Sequence, residues 1–228
     1  MDQLKKNIID TLIISDIHLG DRLTRSEEII KVLNYYSYKR LILNGDILNG
    51  LSFKRLQSEH WNILSKLRKL SNDCQVIWVH GNHDAASDIL SRLLGISVHN
   101  KFVWEESGKK FLAIHGHQYD RFINDNIIIS RIAFFIYDWL KRFSPNGYIV
   151  KLIKTRSQTW KRNVLEVARG ALRLGQAQGA DYVFCGHTHI IDTDETNGVK
   201  YFNTGSWVDH PSGFITISGD QVKLVQID

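Results

Sequence analysis

Residues 7–18 read NIIDTLIISDIH, an apolar run that stops abruptly at Asp16-Ile17-His18. The same device recurs four times along the chain. LILN (41–44) runs into Gly45-Asp46, and VIWVH (76–80) into Gly81-Asn82-His83-Asp84. KFLAI (110–114) runs into His115-Gly116-His117, and YVFC (182–185) into Gly186-His187-Thr188-His189. Short apolar runs bounded by turn residues are the pattern of buried strands. Helical periodicity separates the first ones. Ser26–Asn34 predicts a helix with Ser26 as N-cap. His60–Leu70 predicts a second, with Trp61, Leu64, Leu67 and Leu70 on one side, and Ser87–Leu94 a third. This β-α-β-α order predicts an α/β layered fold.

Beyond Phe102 the pattern changes. Lys110–Ile114 predicts another strand, and Tyr119–Gln178 then carries helical periodicity with few strand signals. That segment holds 11 Lys/Arg against 4 Asp/Glu, and includes the dense apolar run IIISRIAFFIYDWL (127–140). Pro145 and Gly147 divide it into an aromatic arm and a basic arm. After Gly179 strands return, at Asp181–Cys185, Ile190–Thr193, Val199–Asn203, Phe214–Ser218 and Gln221–Ile227. Asn197-Gly198 marks a hairpin turn. The expected organisation is a β-rich core (1–118 and 179–228) interrupted by a helical lid (119–178).

With 228 residues, 43% of them hydrophobic, the chain is long enough to bury a core and is not a disordered polymer. Its 2 prolines exclude a collagen-like chain. Cys74 and Cys185 stand far apart, outside any CxxC pair, and predict reduced thiols in a cytoplasmic protein. No signal peptide is apparent, and no apolar run is long enough for a transmembrane helix. The net charge of +5 favours acidic partners: phosphorylated substrates, nucleic acid or anionic lipid.

Six of the 10 histidines fall at the strand-to-loop junctions. A strand that ends in polar side chains delivers them at the C-terminal edge of a sheet, where open α/β sheets bind ligands. Extended backbone would place Asp16 and His18 on one face, and likewise His187 and His189. Asp16, His18, Asp46, Asn82, His115, His187 and His189 make seven oxygen and nitrogen donors. That is too many for one zinc site, and the right number for two divalent cations sharing a carboxylate. A donor set without thiolate suits Mn first, with Fe or Zn as alternatives. His83 is left over as the candidate to stabilise a phosphoryl group or protonate a leaving oxygen. Asp84 is expected to orient it and raise its pKa. His117 and Asp120 are candidate site-lining groups, and Asp21 a supporting one. His60, His80, His99 and His210 carry no motif.

These five blocks resemble the calcineurin-like metallophosphoesterase family, whose pattern is DxH, GD, GNH[DE], a lone His and GHxH. The resemblance implies a four-layer α-β-β-α sandwich of two mixed β-sheets with a helical lid. It implies that Asp16, His18, Asp46 and His189 hold one cation, and that Asp46 bridges to a second held by Asn82, His115 and His187. The position of the insertion, His115–Asp120 and Asn203-Thr204-Gly205-Ser206-Trp207 are similar to the UDP-2,3-diacylglucosamine pyrophosphohydrolase branch of that family, in the lipid A pathway. That branch implies hydrolysis of a lipid-linked diphosphate to UMP and an acylated sugar 1-phosphate. It also implies acyl chains under the lid and peripheral contact with the inner membrane. Arg156, Lys161 and Arg162 would then face the diphosphate. Two departures stand out: His83 replaces the Arg of the best-known member, and Ser206 replaces a residue that is often acidic. The alternatives are a nuclease, phosphodiesterase or generic phosphatase of the same fold, and a binding module on an inactive one. A nucleic-acid partner is disfavoured by the apolar character of the lid, and the sequence leaves the oligomeric state open.

Overall fold

The structure is a computed structural model and describes residues 7–50, 52–120 and 157–228. In chain order the elements are β1 (Asn7–Ile14), α1 (Ser26–Tyr35), β2 (Tyr36–Asn44), α2 (Ser58–Asp73), β3 (Gln75–Val79), α3 (Ser87–Leu94), β4 (Ser97–His99), β5 (Lys101–Glu106) and β6 (Lys109–Ile114). They continue with α4 (Gln158–Gln178), β7 (Tyr182–Cys185), β8 (Ile191–Thr196), β9 (Val199–Thr204), β10 (Ser212–Ser218) and β11 (Gln221–Ile227).

The strands form two mixed sheets. One has six strands in the order β11-β10-β1-β2-β3-β4, the other five in the order β5-β6-β7-β9-β8. β1, β2 and β3 run parallel to one another, as do β6 and β7, so their C-terminal ends gather at one edge.

Strand alternation sorts the core into three layers of side chains. Leu12 and Ile14, Leu41 and Leu43, Val76 and Trp78 pack outward with Ile29, Leu33, Ile63 and Leu67 of α1 and α2. Ile13, Ile42, Ile77 and Val79 point the other way, and meet Phe111, Ala113 and Phe184 between the sheets. Leu112, Ile114, Val183 and Cys185 form the third layer with Ala168, Ala171 and Leu172 of α4. Both faces of each central strand are covered, which is why those strands read as continuous apolar runs.

The expected fold class is therefore observed: helices, sheet, sheet, helix. The boundary of the expected insertion is corrected. Residues 158–178 form the fourth layer of the core. Val164, Val167, Ala168, Ala171, Leu172 and Gly175 recur at helical spacing and are buried, and the outer face of the second sheet needs such a cover. Residues 121–156, with the apolar run 127–140 and Arg156, lie outside the described residues.

Smaller corrections have local causes. The β2 strand begins at Tyr36, four residues before the expected start, because the whole length of β1 pairs with it. β4 and β5 were not expected. β5 pairs with β6 on one side only, and its sequence KFVWEE lacks a continuous apolar run. Ser26 starts α1 but makes no capping bond. The Asn197-Gly198 turn is present, with φ of 52° and 80°, and joins β8 to β9. Among the described residues, no helix is long and apolar enough to cross a membrane.

Candidate metal centre

The five motifs meet at the edge where the two sheets' C-terminal strand ends come together. Asp16 and His18 follow β1, Asp46 follows β2, Asn82–Asp84 follow β3, His115 follows β6, and His187 and His189 follow β7. Asn44 stitches the sheets there: its Nδ2 donates to the carbonyls of Ile114 (3.0 Å) and Phe184 (3.3 Å), and its own carbonyl lies 3.0 Å from His115 Nδ1.

Of the two spaced pairs, Asp16 and His18 join one group of possible ligands while His187 and His189 go to different ones. The backbone after β1 and β7 is not extended. Asp16, His18, Asp46, His187 and His189 all have positive φ, between 48° and 68°. Left-handed backbone costs a residue with a Cβ roughly 1–2 kcal/mol. Interstrand bonds hold the first loop in place: Asp16 N–H donates to Gly45 O, His18 N–H to Asp46 O and Leu19 N–H to Ile47 O, at 2.8–2.9 Å. The motif glycines leave room for the ligands. A Cβ on Gly81 would sit 2.2 Å from Asp46 Oδ1, and one on Gly186 2.1 Å from Asp16 Oδ2.

Two groups of three possible ligands result: Asp16, His18 and His189, and Asp46, His115 and His187. Within each, the donor atoms lie within 4.8 Å of one another. Asp46 faces both groups. Its Oδ2 is 3.2 Å from His115 Nε2 and 3.8 Å from His18 Nε2. His189 Nε2 lies 3.0 Å from His18 Nε2 and 3.4 Å from Asp16 Oδ1. Asn82 is exposed on the neighbouring loop, between Gly81, whose N–H donates to Asp84, and His83, whose N–H donates to Asp46 Oδ1.

Asp16, Asp46 and His115 are at most 1% exposed, so their charges are settled among themselves. Burial opposes ionisation of Asp46, but His115, His83 and His18 hold its pKa well below the carboxylate range. Burial likewise opposes the charge on His115, and Asp46 and Asp16 outweigh it, raising its pKa to about 10. Burial, with His189 and His83 beside it, lowers His18 to about 3, against the pull of Asp46 and Asp16. His115 Nε2 is buried and makes no well-directed hydrogen bond among the described residues. A buried imidazole nitrogen aimed at carboxylates, in a set of oxygen and nitrogen donors, fits a divalent cation of the Mn, Fe or Zn type.

A calcineurin-like phosphoesterase family model matches residues 9–190. The chain belongs to the calcineurin-like phosphoesterase family. No curated protein sequence matches it significantly. Among solved structures it is similar to an archaeal phosphodiesterase (14% identity, 95% of this chain and 99% of that one, TM-score 0.52). It is also similar to Vps29 of Chaetomium thermophilum (11% identity, 95% and 96%, TM-score 0.54). A third is Vps29 of Entamoeba histolytica complexed with Zn (16% identity, 96% and 98%, TM-score 0.50). These likenesses share the fold.

The Asp84 carboxylate, expected to orient His83, is filled by other donors. Its Oδ2 accepts from the N–H groups of Asp46 and Gly81 and from Trp78 Nε1, and its Oδ1 from Ile47 and Leu48, all at 2.9–3.0 Å. Five donors occupy the carboxylate, which clamps the GD loop to the GNHD loop. The pKa of His83 is accordingly lowered, not raised. Burial and three neighbouring histidines outweigh Asp46, whose Oδ2 is 4.0 Å from His83 Nε2. His83 lies against His18, ring centroids 5.1 Å apart.

The remaining candidates divide. His117 stands beside His115 and His187, with burial first and those neighbours next lowering its pKa to about 4. Asp120 is 3% exposed and holds His187 Nε2 at 2.8 Å, which makes it a partner of the candidate ligand set. Asp21 Oδ1 accepts from Leu23 N–H and holds a turn. Lys161 and Arg162 are exposed on the first turn of α4.

Three groups went unrecognised in the sequence. Asp209 lies 3.1 Å from His189 Nδ1. Ser15 Oγ donates to Asp16 Oδ2 and meets Thr204. Asn203 binds the Gly186 carbonyl and Thr188. Only Asn203 had a signal, through its place in the NTGSW segment. A single Asp or Ser in a loop has no period to betray it.

Asp84→Asn is expected to lower folding stability by about 3 kcal/mol, because an amide turns donors toward backbone N–H groups. Urea denaturation checks this, and a loss under about 1 kcal/mol would contradict the clamp. The raised pKa of His115 sets the sign of a second expectation. Its contribution to metal-free stability is full below about pH 6.5 and is lost as pH rises toward 10. A cation must displace that proton, so affinity for Mn should increase over the same window. About one proton should be released at pH 8, read by calorimetry in buffers of different ionisation enthalpy, and His115→Asn should abolish the release.

Proposed function

We propose that the protein is a metal-dependent phosphoester hydrolase that uses two divalent cations, Mn foremost. The observation that carries this is the placement of Asp46: one buried carboxylate oxygen faces a histidine from each three-residue group. Bound cations would supply a water activated near neutral pH and would offset charge building on a phosphoryl group. The chain's own part is to hold donors of fixed geometry on strand ends and to aim His83 and His117 into the same space. His83 binds a phosphoryl oxygen through Nε2, and His117 lines the wall beside His115.

The substrate we propose is the diphosphate of UDP-2,3-diacylglucosamine or a similar lipid-linked nucleotide, cleaved to UMP and the acylated sugar 1-phosphate. Support comes from the sequence: the apolar run 127–140 and the basic residues through Arg156, Lys161 and Arg162 are joined to Asp120 and to α4, both next to the centre. Lid contact with a membrane surface accompanies this reading. A phosphodiesterase acting on nucleic acid is the second reading, favoured by the net charge of +5.

The test is a Mn-supplemented assay on UDP-diacylglucosamine, a UDP-sugar without acyl chains, and single-stranded DNA, with and without chelator. Hydrolysis that needs metal and prefers the acylated substrate is expected. Equal or better use of the plain UDP-sugar would remove the lipid substrate. Cleavage of DNA with a steep salt dependence would favour the second reading. His83→Ala should lower kcat on the best substrate by about 100-fold or more. A change within about threefold would remove His83 from the reaction.

A further inference from the structure

His187 and His189 lie two residues apart, one in each candidate ligand group. An imidazole can offer a cation either ring nitrogen, and the partner of the other nitrogen decides which. Here the two rings are tied down differently. His187 holds Asp120 Oδ2 through Nε2, at 2.8 Å, which leaves Nδ1 for the Asp46 group. His189 holds Asp209 Oδ2 through Nδ1, at 3.1 Å, and turns Nε2 toward Asp16 Oδ1 at 3.4 Å.

The two carboxylates come from separate parts of the fold. Asp120 follows a 3-10 turn, His117–Tyr119, after β6, and Asn163 of α4 donates to the same Oδ2 at 2.6 Å. Asp209 lies in the connection between β9 and β10. Their side chains are 5% and 17% exposed, so Asp120 is shielded from water and Asp209 is open at the rim. A carboxylate on the far nitrogen fixes the ring's tautomer and orientation and makes the near nitrogen a stronger donor to metal.

We infer that Asp120 and Asp209 are positioning residues, each fixing one histidine of the His-x-His pair, so that the two cation positions are tuned separately. This rests on the two-cation reading above. Asp120 acts on the Asp46–His115–His187 position, and through Asn163 ties it to α4. Asp209 acts on the Asp16–His18–His189 position. Neither touches the substrate in this role.

The test is Mn binding to the full metal-free chain, followed by the electron paramagnetic resonance signal of free Mn, with metal-free melting measured alongside. Wild type should bind two Mn. Asp120→Asn should weaken one of them by about tenfold or more and leave the other within about twofold. Added to His187→Asn, it should cost nothing further. Added to His189→Asn, it should still weaken binding. Asp209→Asn should show the mirror pattern, losing its effect on the His189→Asn background. Metal-free melting should stay near wild type in both single variants.

Three outcomes would overturn the inference while the two-cation reading stands: both variants binding two Mn as tightly as wild type, either variant weakening both Mn equally, or an undiminished effect on the matching histidine background. A wild-type protein that takes up no Mn would bring down the two-cation reading, and this inference with it.

Discussion

Two buried carboxylates organise this molecule. Asp16 and Asp46 are shut away from water at the meeting line of two sheets, where an unpaired charge costs several kcal/mol. The surroundings answer that cost in kind. Asp16 receives the Ser15 hydroxyl and the His187 N–H, and Asp46 receives the His83 N–H. The remaining deficit of positive charge falls on the histidines. Asp46 and Asp16 raise the pKa of His115 to about 10 against its burial, while burial first, then His189 and His83, lowers that of His18 to about 3. One proton standing where cations would sit is the electrostatic signature of a site built for more positive charge than the chain itself provides.

Holding those carboxylates in place needs a backbone that loops rarely adopt. Five of the six clustered ligands sit at positive φ, and strain of that kind persists only where the surroundings over-determine it. The determinants are visible. Asp84 accepts three bonds from the Asp46 loop, and two more from Trp78 and Gly81 hold the carboxylate in place. Asn203 grips the Gly186 turn, and Trp207 N–H bonds to the Asp16 carbonyl at 3.0 Å. Asn44 ties the first sheet to the second immediately before Asp46. Asp84 and Asn44 lie within or next to a motif, so the motifs carry part of their own scaffolding, while Asn203 and the Trp207 N–H reach in from β9 and the loop after it. This is why the fourth letter of Gly81-Asn82-His83-Asp84 proves structural where chemistry was expected of it.

The sequence displayed the strands that have both faces buried, because a four-layer sandwich makes them apolar throughout. Leu12, Ile13 and Ile14 are fully buried in alternating directions. It hid β5, which lies at a sheet edge, and it disguised α4 as part of a lid. An amphipathic helix looks the same whether its apolar face covers a sheet or an acyl chain. Only the position of the unsatisfied sheet face decides, and that is a property of topology. The motif residues were legible because Asp, His and Gly at strand ends are costly for folding and therefore conspicuous. The route by which they converge was not. A period-two argument puts i and i+2 on one face, whereas the left-handed turns join Asp16 and His18 in one ligand group and send His187 and His189 to different ones, and the residue names do not distinguish the two.

The same reasoning separates what the core can specify from what it cannot. Strand ends joined across two sheets fix the donor atoms relative to one another, since each ligand group draws on both sheets and moving one sheet against the other would break the Asn44 bonds and split both groups. Under the proposed phosphoesterase reading, that rigidity would serve any phosphoester, because such a centre would engage the phosphoryl group and its charge. Discrimination among leaving groups must come from elements that are attached to the centre without being part of it. Asp120 and Asn163 are the natural junction. They join His187 to the first turns of α4, where Lys161 and Arg162 stand exposed at the boundary of the basic segment. A ligand contacting that boundary would pull on the same hydrogen-bond chain that orients His187, so substrate choice and the strength of one cation position would be linked through a single side chain.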